Sequence, residues 1–234
     1  EREAAADEAR LAARADAVAA VSVRELDLFR AHARPGLPAA VVCHPCAPSP
    51  TPAPFAARTD LLFVGAVLNA DSPNVDTIRH LAREVLPRVR REEPVRLVVA
   101  GTVLLEEVLA LASPEVVVTG RVDDMRHWYD RCRVFVAPTR YAAGIPLKLL
   151  EAFAAGIPAV ISPLLAEQLG ADESVALIAG DPEEFARKVV RLYRDEGLWN
   201  RLRQAALEHV GRTCSPAAFR EAVSGLLAQL VRGR

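Results

Sequence analysis

The sequence predicts an α/β fold in which a parallel β-sheet carries helices on both faces. Two observations lead to this prediction. From Asp60 onward, short apolar strands alternate with helical patterns, and strands that are joined through helices run parallel. Hydrophobic residues make up 51% of the 234-residue chain and aromatic residues 5%, so there is enough material for an aliphatic core.

The predicted strands are short apolar runs. They fall at residues 61–65, 96–100, 116–119, 134–137, 158–162 and 175–178. The predicted helices lie at residues 73–91, 104–111, 125–130, 147–154 and 182–193, and helical pattern continues to about residue 210 and resumes at residue 216. Ser72 and Pro73 support the first of these helices, because a serine cap followed by proline is typical of a helix start.

The first part of the chain is organised differently. Residues 17–21 and 39–43 are predicted strands, and Ser22-x-x-Glu25 has the form of a capping box that opens a helix between them. Prolines at positions 48, 50, 52 and 54 then predict an extended linker. We therefore divide the chain into four parts, which are residues 1–47, the linker 48–59, the alternating domain 60–214 and a C-terminal helix 215–234.

Charge, hydropathy and cysteine content argue against several classes of protein. The net charge of −1 gives no indication of nucleic-acid binding, and no apolar run reaches the roughly 18 residues that span a bilayer. The first twenty residues mix acidic and basic side chains with alanine, so a secretory signal is not predicted. Four cysteines are too few for a disulfide scaffold and predict reduced thiols in a cytoplasmic protein. They are Cys43, Cys46, Cys132 and Cys214.

The segment from Pro138 to Pro158 contains the strongest functional motif. An apolar strand leads into a loop of small residues, and a helix carrying Lys148 and Glu151 follows at once. Small residues let a ligand approach the backbone, and the N–H groups at a helix start favour an anion such as a diphosphate. Lys148 and Glu151 are three residues apart and share a helix face. The pattern therefore indicates a pocket for a nucleotide that carries a sugar.

This segment resembles the donor-binding signature of GT-B glycosyltransferases of glycosyltransferase family 4. Members of that family transfer a sugar from a nucleotide diphosphate with retention of configuration. The matching positions are Arg140, Tyr141, Gly144, Ile145, Lys148, Glu151, Ala152, Ala154, Gly156 and Pro158. Residues 63–65 with 73–76, and residues 118–124, resemble two further motifs of the family in the expected order. The likeness covers most of residues 16 to 215.

The resemblance implies a fold and an arrangement of domains. Residues 60–214 would be the Rossmann-like, nucleotide-sugar-binding half of a GT-B fold. Residues 1–47 would be a remnant of the N-terminal acceptor domain, and the C-terminal helix would pack back toward that domain. The chain is then expected to be truncated, with the missing N-terminal domain as its partner. It should bind nucleotide but transfer sugar poorly by itself, and contact with a membrane surface through the missing half is left open.

The resemblance also implies roles for individual residues. The Glu151 carboxylate would accept hydrogen bonds from ribose hydroxyls, and Lys148 would neutralise the departing diphosphate, which makes these two the predicted catalytic residues. The other predicted donor contacts are Gly65, Asn69, Arg121, Val122, Arg140, Ala143, Gly144, Ile145 and Leu149. No metal or other cofactor is expected, and the donor would be UDP-, GDP- or another nucleotide diphosphate sugar.

Three departures from the family pattern bear on the donor. Many members have a glutamate eight positions before the one matched by Glu151, and Ala143 stands there, which leaves the sugar open. Pro146 replaces a basic residue that is common two positions before Lys148. No basic residue occurs at positions 65–70, so the phosphate charge would depend on Lys148, Arg140 and the helix start.

Several other residue patterns have simpler explanations than a ligand site. Solvated side chains on a surface helix are the alternative for Lys148 and Glu151, and Gly156 and Pro158 are expected to end a helix and begin a strand. Cys43 and Cys46 have the spacing of a redox pair or half a zinc site, but a proline-rich linker follows them, so the spacing is interpreted as coincidence. The histidines at positions 32, 80, 127 and 209 are expected to be surface residues, with packing as an alternative for His127.

Three functional hypotheses follow. The leading one is the donor half of a retaining, hexosyltransferase-type glycosyltransferase that acts in the synthesis of a surface polysaccharide or another glycan. The second is a GT-B-like nucleotide-sugar epimerase, which would need acids and bases outside this chain. The third is a non-catalytic glycosyltransferase-like module within a larger protein. One fold supports many chemistries, so the fold alone does not decide among them.

Overall fold

The N-terminal unit is a small βαβ arrangement. The structure is a computed structural model that describes residue 7, residues 10–142 and residues 144–232. Strands β1 (Val18–Ala20) and β2 (Ala39–Val41) pair in parallel, and helix α1 (Val23–Arg30) connects them. The Ser22 hydroxyl caps this helix by accepting from the Glu25 N–H, as predicted. The Glu25 carboxylate accepts from the Val21 N–H, one residue before the N–H that completes a capping box.

A six-stranded parallel sheet forms the main domain, which confirms the predicted fold class. Its strands are β3 (Thr59–Val64), β4 (Leu97–Ala100), β5 (Val116–Val118), β6 (Cys132–Ala137), β7 (Ala159–Ile161) and β8 (Leu177–Ile178). They lie in the order β5-β4-β3-β6-β7-β8. The order reverses between β3 and β6, and in open parallel sheets ligands bind at the carboxyl ends of the strands beside such a reversal.

The sheet is covered by helices that follow its strands. Helix α2 has three parts, α-helical at Pro73–His80, π-helical at Leu81–Val85 and α-helical again at Leu86–Val89. The shorter helices are α3 (Glu106–Leu109), α4 (Arg126–Arg131), α5 (Leu147–Ala155) and α6 (Pro163–Leu169). The chain then continues through α7 (Pro182–Arg194), α8 (Glu196–Thr213) and α9 (Pro216–Arg232).

Helix α6 was not predicted from the sequence. Its signals are local and are visible once its bounds are known. The Ser162 hydroxyl accepts from the Leu165 N–H at the start, Pro163 occupies the first turn, and Gly170 ends the helix in the left-handed conformation. Gly156 ends α5 in the same way with φ of +70°, as predicted.

The core has two layers because the central strands are buried on both faces. In β3, Leu61 and Phe63 belong to one hydrophobic cluster and Leu62 to the other. In β6, Val134 and Phe135 divide between the two clusters in the same way. Side chains of a strand alternate between its faces, so a continuous apolar run serves both layers.

The predicted linker is extended up to a short 3-10 helix at Phe55–Ala57, and it is bound to the main domain along its length. The N–H groups of Ser49 and Thr51 donate to the carbonyls of Ala154 and Ala155, at 2.8 and 3.0 Å. Arg58 lies fully buried at the end of this segment and donates to the carbonyls of Ala53 and Tyr129. Burial lowers the pKa of Arg58 to about 10, and these acceptors compensate for the loss of water.

A disulfide joins the N-terminal unit to the end of α8, and it corrects the expectation of reduced thiols. It links Cys43 with Cys214, whose Cα atoms are 5.3 Å apart although 171 positions separate them in sequence. The Cys46 N–H donates to the Cys214 carbonyl at 2.7 Å, and Cys46 and Cys132 are free thiols. Helix α9, which follows, contacts β2.

Two further observations complete the fold. His209 was expected at the surface, but it is buried on α8, where its Nε2 lies 3.1 Å from the Leu169 carbonyl oxygen and burial lowers its pKa. This placement is a consequence of α8 packing on the main domain, which helical pattern alone does not indicate. Within the described residues, no helix combines the length and apolar character needed to cross a bilayer.

The disulfide predicts how many thiols react with an alkylating agent. In denaturant without reductant, N-ethylmaleimide should add to two of the four cysteines, since only Cys46 and Cys132 are free. After reduction it should add to all four. Intact-protein mass spectrometry measures the number of adducts, and Cys46→Ser should lower both counts by one. Four adducts before reduction would contradict the Cys43–Cys214 bond.

Candidate functional site

A cavity of about 470 Å³ opens at the reversal of strand order. Its walls come from segments that are distant in sequence. Val64 and Gly65 lie at the end of β3, Asn74 lies at the start of α2, and Lys148 and Glu151 lie on α5. The two predicted catalytic side chains therefore share one cavity beside the carboxyl edge of the sheet.

Lys148 is half-buried in the wall of this cavity. Its ammonium donates a hydrogen bond to Asn74 Oδ1 and lies 4.4 Å from the centroid of the Phe63 ring. Burial lowers the pKa of Lys148 to about 8. An ammonium held by a neutral amide and an aromatic face keeps its positive charge available for an incoming anion.

Asn74 holds this lysine in place, and it was not among the predicted donor contacts. Its Nδ2 donates to the Ala66 carbonyl at 2.8 Å, so that its Oδ1 is left to face Lys148. The Asn74 N–H in turn donates to the Ser72 hydroxyl, which caps the helix. Asn74 lies in one of the segments that resemble the family, but nothing in the sequence indicates its contact with a residue 74 positions later.

Glu151 lies one helical turn after Lys148 and is exposed to solvent. The buried hydroxyl of Tyr129 donates to Glu151 Oε2 at 3.3 Å, which leaves the other carboxylate oxygen without a contact to this tyrosine. Burial and the nearby carboxylate raise the pKa of Tyr129, so the phenol remains a proton donor. The carboxylate is thus oriented from one side and open to the cavity on the other.

The first turn of α5 has hydrogen-bonded N–H groups where the motif suggested free ones. The N–H groups of Leu147 and Leu149 donate to the carbonyls of Ile145 and Pro146, at 3.0 and 2.9 Å. Two of the first N–H groups of the helix therefore already have partners, which leaves fewer of them for an anion than the motif implied.

The other predicted donor contacts divide into those that line the cavity and those that do not. Gly65 and Ile145 line it. Gly144 has φ of +74° in the loop before α5, and a Cβ built on it would lie 4.0 Å from Glu25 Oε1, so this loop lies near the N-terminal unit. Ala143 lies outside the described residues.

Three predicted residues are placed away from the cavity. Arg140 is exposed and forms an ion pair with Asp76, which lowers the pKa of that carboxyl group. Arg121 is exposed as well, 3.7 Å from Asp123. Asn69 is an exposed loop residue whose carbonyl accepts from the Ser72 N–H. Phosphate contacts through Arg140 would require it to leave Asp76.

Two apolar residues on the predicted list pack into the protein instead. Leu149 is fully buried in a core cluster, because its position on α5 faces the sheet rather than the cavity. Val122 packs against the same cluster. Thr139 and Gln168 do line the cavity and were not predicted. Within the described part of the chain, no three His, Cys, Asp or Glu side chains gather where they could hold a metal ion.

Comparison with known proteins identifies the family. Residues 58–195 match the family described as glycosyl transferases group 1, and this range is more than half of the chain. The chain belongs to this family. No curated protein matches the sequence of this family member.

Solved structures show the same fold at low sequence identity. TarM of S. aureus is 13% identical with a TM-score of 0.78, and the match covers 96% of this chain and 46% of TarM. Sucrose-phosphate synthase of Thermosynechococcus elongatus is 17% identical with a TM-score of 0.78, and the match covers 100% of this chain and 63% of the synthase. HepE of Anabaena, solved with UDP and glucose, is 15% identical with a TM-score of 0.77, and the match covers 97% of this chain and 67% of HepE. The chain therefore spans about half the length of TarM and about two thirds of the other two, and the predicted Rossmann-like half of a GT-B fold is confirmed.

The contact between Gly65 and Asn74 can be tested by adding one methyl group. A Cβ on Gly65 would lie 2.8 Å from Asn74 Nδ2, so Gly65→Ala should displace the amide that holds Lys148. We expect the free energy of unfolding to fall by about 1–3 kcal/mol. Gly225→Ala is the matched control, because that position on α9 has open space and alanine favours helix. This variant should raise the free energy of unfolding by up to about 1 kcal/mol. Urea denaturation measures both, and equal stabilities for the two variants would contradict the contact.

Proposed function

We propose that this chain is the donor-binding part of a retaining glycosyltransferase that transfers a sugar from a nucleotide diphosphate to a hydroxyl acceptor. The observation that carries the proposal is the placement of Lys148 and Glu151 on one face of α5, in one cavity beside the strand reversal. The ammonium suits a diphosphate and the carboxylate suits a pair of ribose hydroxyls. Family membership supports the same reaction class.

The Glu151 carboxylate binds the ribose in this proposal. Tyr129 holds one of its oxygens, and this fixes the side chain without neutralising its charge. Hydrogen bonds from hydroxyls to a carboxylate are charge-assisted and stronger than neutral ones. Ribose hydroxyls at Glu151 would leave the diphosphate next to Lys148, about one helical turn away.

Lys148 binds the diphosphate and stabilises it as the leaving group. Negative charge on the diphosphate increases when its bond to the sugar breaks, so a fixed ammonium binds the transition state more tightly than the bound substrate. Asn74 positions the ammonium before the ligand arrives, which lowers the cost of reorganisation. In a retaining reaction the acceptor hydroxyl then attacks from the face that the diphosphate leaves.

We further propose that residues 1–47 belong to the acceptor domain of the whole protein and that residues 60–214 bind the donor. The separate parallel pair β1–β2, with its own small hydrophobic cluster, supports this division. The contact of α9 with β2 supports the proposal that the C-terminal helix returns to the acceptor domain. In this proposal the whole protein, with its complete acceptor domain, selects the acceptor and completes turnover. A role in the synthesis of a surface polysaccharide or another glycan is likewise proposed for the whole protein.

Nucleotide binding tests the proposed function directly. Titration calorimetry with UDP, GDP and ADP should show binding of at least one of them, and UDP is the first probe because HepE, a structural neighbour, was solved with it. Glu151→Ala should weaken that binding by about ten- to a hundredfold, the value of hydrogen bonds to a charged group. Glu208→Ala is the matched control, since Glu208 is an exposed helical glutamate that contacts Gln204 instead of the cavity.

Two outcomes would contradict the proposal. A flat titration with all three nucleotides would favour the non-catalytic module. Equal losses in Glu151→Ala and Glu208→Ala would show that the nucleotide binds elsewhere. If binding is confirmed but the whole protein interconverts nucleotide sugars without an acceptor, the epimerase hypothesis replaces sugar transfer.

The lowered pKa of Lys148 predicts how binding depends on pH. The protonated form attracts the diphosphate, so UDP affinity should fall as the pH rises through about 8, by up to tenfold per pH unit. Unfolding does not explain this loss of affinity. Lys148 in the unfolded chain has its ordinary pKa, so between pH 8 and 10.5 it binds more protons there than in the folded chain. Its contribution to stability therefore rises with pH over that range.

The chain offers a matched control for this measurement, because Lys188 is its second lysine. Lys188 lies outside the cavity and pairs with Glu173 and Glu184. Calorimetry from pH 7 to 10 should show that UDP affinity falls with rising pH in wild type and in Lys188→Met. Lys148→Met should bind UDP about tenfold more weakly at pH 7 and show no such fall. A profile that is unchanged in Lys148→Met would assign the titration to another group.

A further inference from the structure

Gln168 presents a buried hydrogen-bond acceptor that has no partner within the described residues. This glutamine lies near the end of α6, and only 6% of its surface is exposed. Its Oε1 is buried and makes no hydrogen bond with any described part of the chain. A buried polar atom left unpaired costs about 1–3 kcal/mol, so such atoms usually have a function or a ligand.

The orientation of the Gln168 amide is determined by its one partner. Nε2 lies 3.2 Å from the carbonyl oxygen of Ala142, and a carbonyl oxygen can only accept. The nitrogen must therefore face Ala142, and the amide cannot be rotated to give Oε1 this contact. The oxygen therefore points away from Ala142, and because it has almost no accessible surface, a ligand hydroxyl reaches it only when the neighbouring wall of the cavity shifts.

Gln168 stands between two cavities. It lines the cavity of about 470 Å³ that contains Lys148 and Glu151. It also lines a second cavity of about 220 Å³, which reaches Ser22 on the N-terminal unit and the Cys43–Cys214 disulfide. Ile145 is the other residue that both cavities share.

The position of Gln168 along the first cavity indicates which part of a ligand it meets. From Glu151 toward the start of α5, the next residue that lines the cavity on this face is Lys148. The lining then continues with Ile145 and Ala142 in the loop before the helix. Ribose at Glu151 and diphosphate at Lys148 would direct the next group of the ligand toward that loop. In a nucleotide sugar the next group is the sugar, whose hydroxyls are donors.

We propose that Gln168 Oε1 accepts a hydrogen bond from a hydroxyl of the donor sugar and that Gln168 is a specificity-determining residue of this site. This inference rests on the proposed function. The surrounding wall is apolar at Ile145 and Leu165, so a sugar hydroxyl that reaches this wall without an acceptor would be buried unpaired. The amide therefore discriminates between a nucleotide that carries a sugar and one that does not.

The test compares two affinities within each variant of the 234-residue chain. Calorimetry gives the dissociation constants of UDP and of UDP-glucose, and their ratio isolates the contribution of the sugar. GDP with GDP-mannose and ADP with ADP-glucose serve as the pair if wild type binds those nucleotides instead. Gln168→Met keeps the length of the side chain and removes both the acceptor and the donor to Ala142. Gln168→Glu keeps an acceptor and loses the donor to Ala142.

The expected result is a change in one variant only. Gln168→Met should reduce the preference for the nucleotide sugar by about five- to tenfold, while its affinity for the nucleotide alone stays within twofold of wild type. Gln168→Glu should keep the preference within twofold. Glu167→Gln is the matched control, because this exposed neighbour on α6 pairs with Arg24 and does not line either cavity, and its ratio should equal that of wild type.

Failure of this inference is distinguishable from failure of the proposed function. If wild type binds none of the three nucleotides, the proposed function fails and the inference fails with it. If wild type binds but the ratio is unchanged in Gln168→Met, only the inference fails, and an acceptor hydroxyl in the second cavity becomes the alternative partner. Equal losses of nucleotide and nucleotide sugar in both glutamine variants would assign Gln168 to holding the loop, which also overturns the proposal.

Discussion

The pairing of β3 with β6 is the constraint on which the rest of the molecule depends. Leu61 lies opposite Val134 and Leu62 opposite Phe135, so these two strands share a register although about seventy residues separate them. Their side chains enter both core layers. A shift of the pairing register by one residue would move the side chains of one strand into the opposite layer. The register therefore sets the two strand ends at the same level, and the residues that follow them meet across one crevice.

The electrostatics of that crevice follow from its neighbours. Lys148 contacts an amide and an aromatic ring, while the arginine nearest in the motif, Arg140, is paired with Asp76. A lysine that faced a carboxylate in the same way would have its charge neutralised before any ligand arrived. Burial against uncharged groups leaves the charge of the ammonium uncompensated, which favours binding of an anion. The same burial lowers the pKa of the ammonium to about 8, so this charge is lost as the pH rises above that value.

The sequence predicted those features that depend on local pattern. The parallel sheet, the capped start of α2 and the shared face of Lys148 and Glu151 are periodicities or spacings within one element, and the structure agrees with them. Contacts between distant segments were not predictable, because no local signal encodes them. The Asn74 amide on Lys148, the Tyr129 hydroxyl on Glu151 and the Cys43–Cys214 bond are of this kind.

The misplaced residues have the same origin. Helical pattern suggested a surface position for His209, yet α8 packs that face on the main domain. Leu149 lies within a binding motif, but its direction on α5 is toward the sheet. A motif specifies which residues occur near a site, whereas the packing of the helix decides which of its side chains reach the ligand.

The covalent bond between Cys43 and Cys214 has a mechanical consequence. The chain leaves the N-terminal unit through residues 42–58 and returns to it through α8 and α9, and the bond fastens these two crossings together. It closes a covalent ring that contains the whole main domain, so the smaller unit stays beside that domain even where the noncovalent contacts between them open.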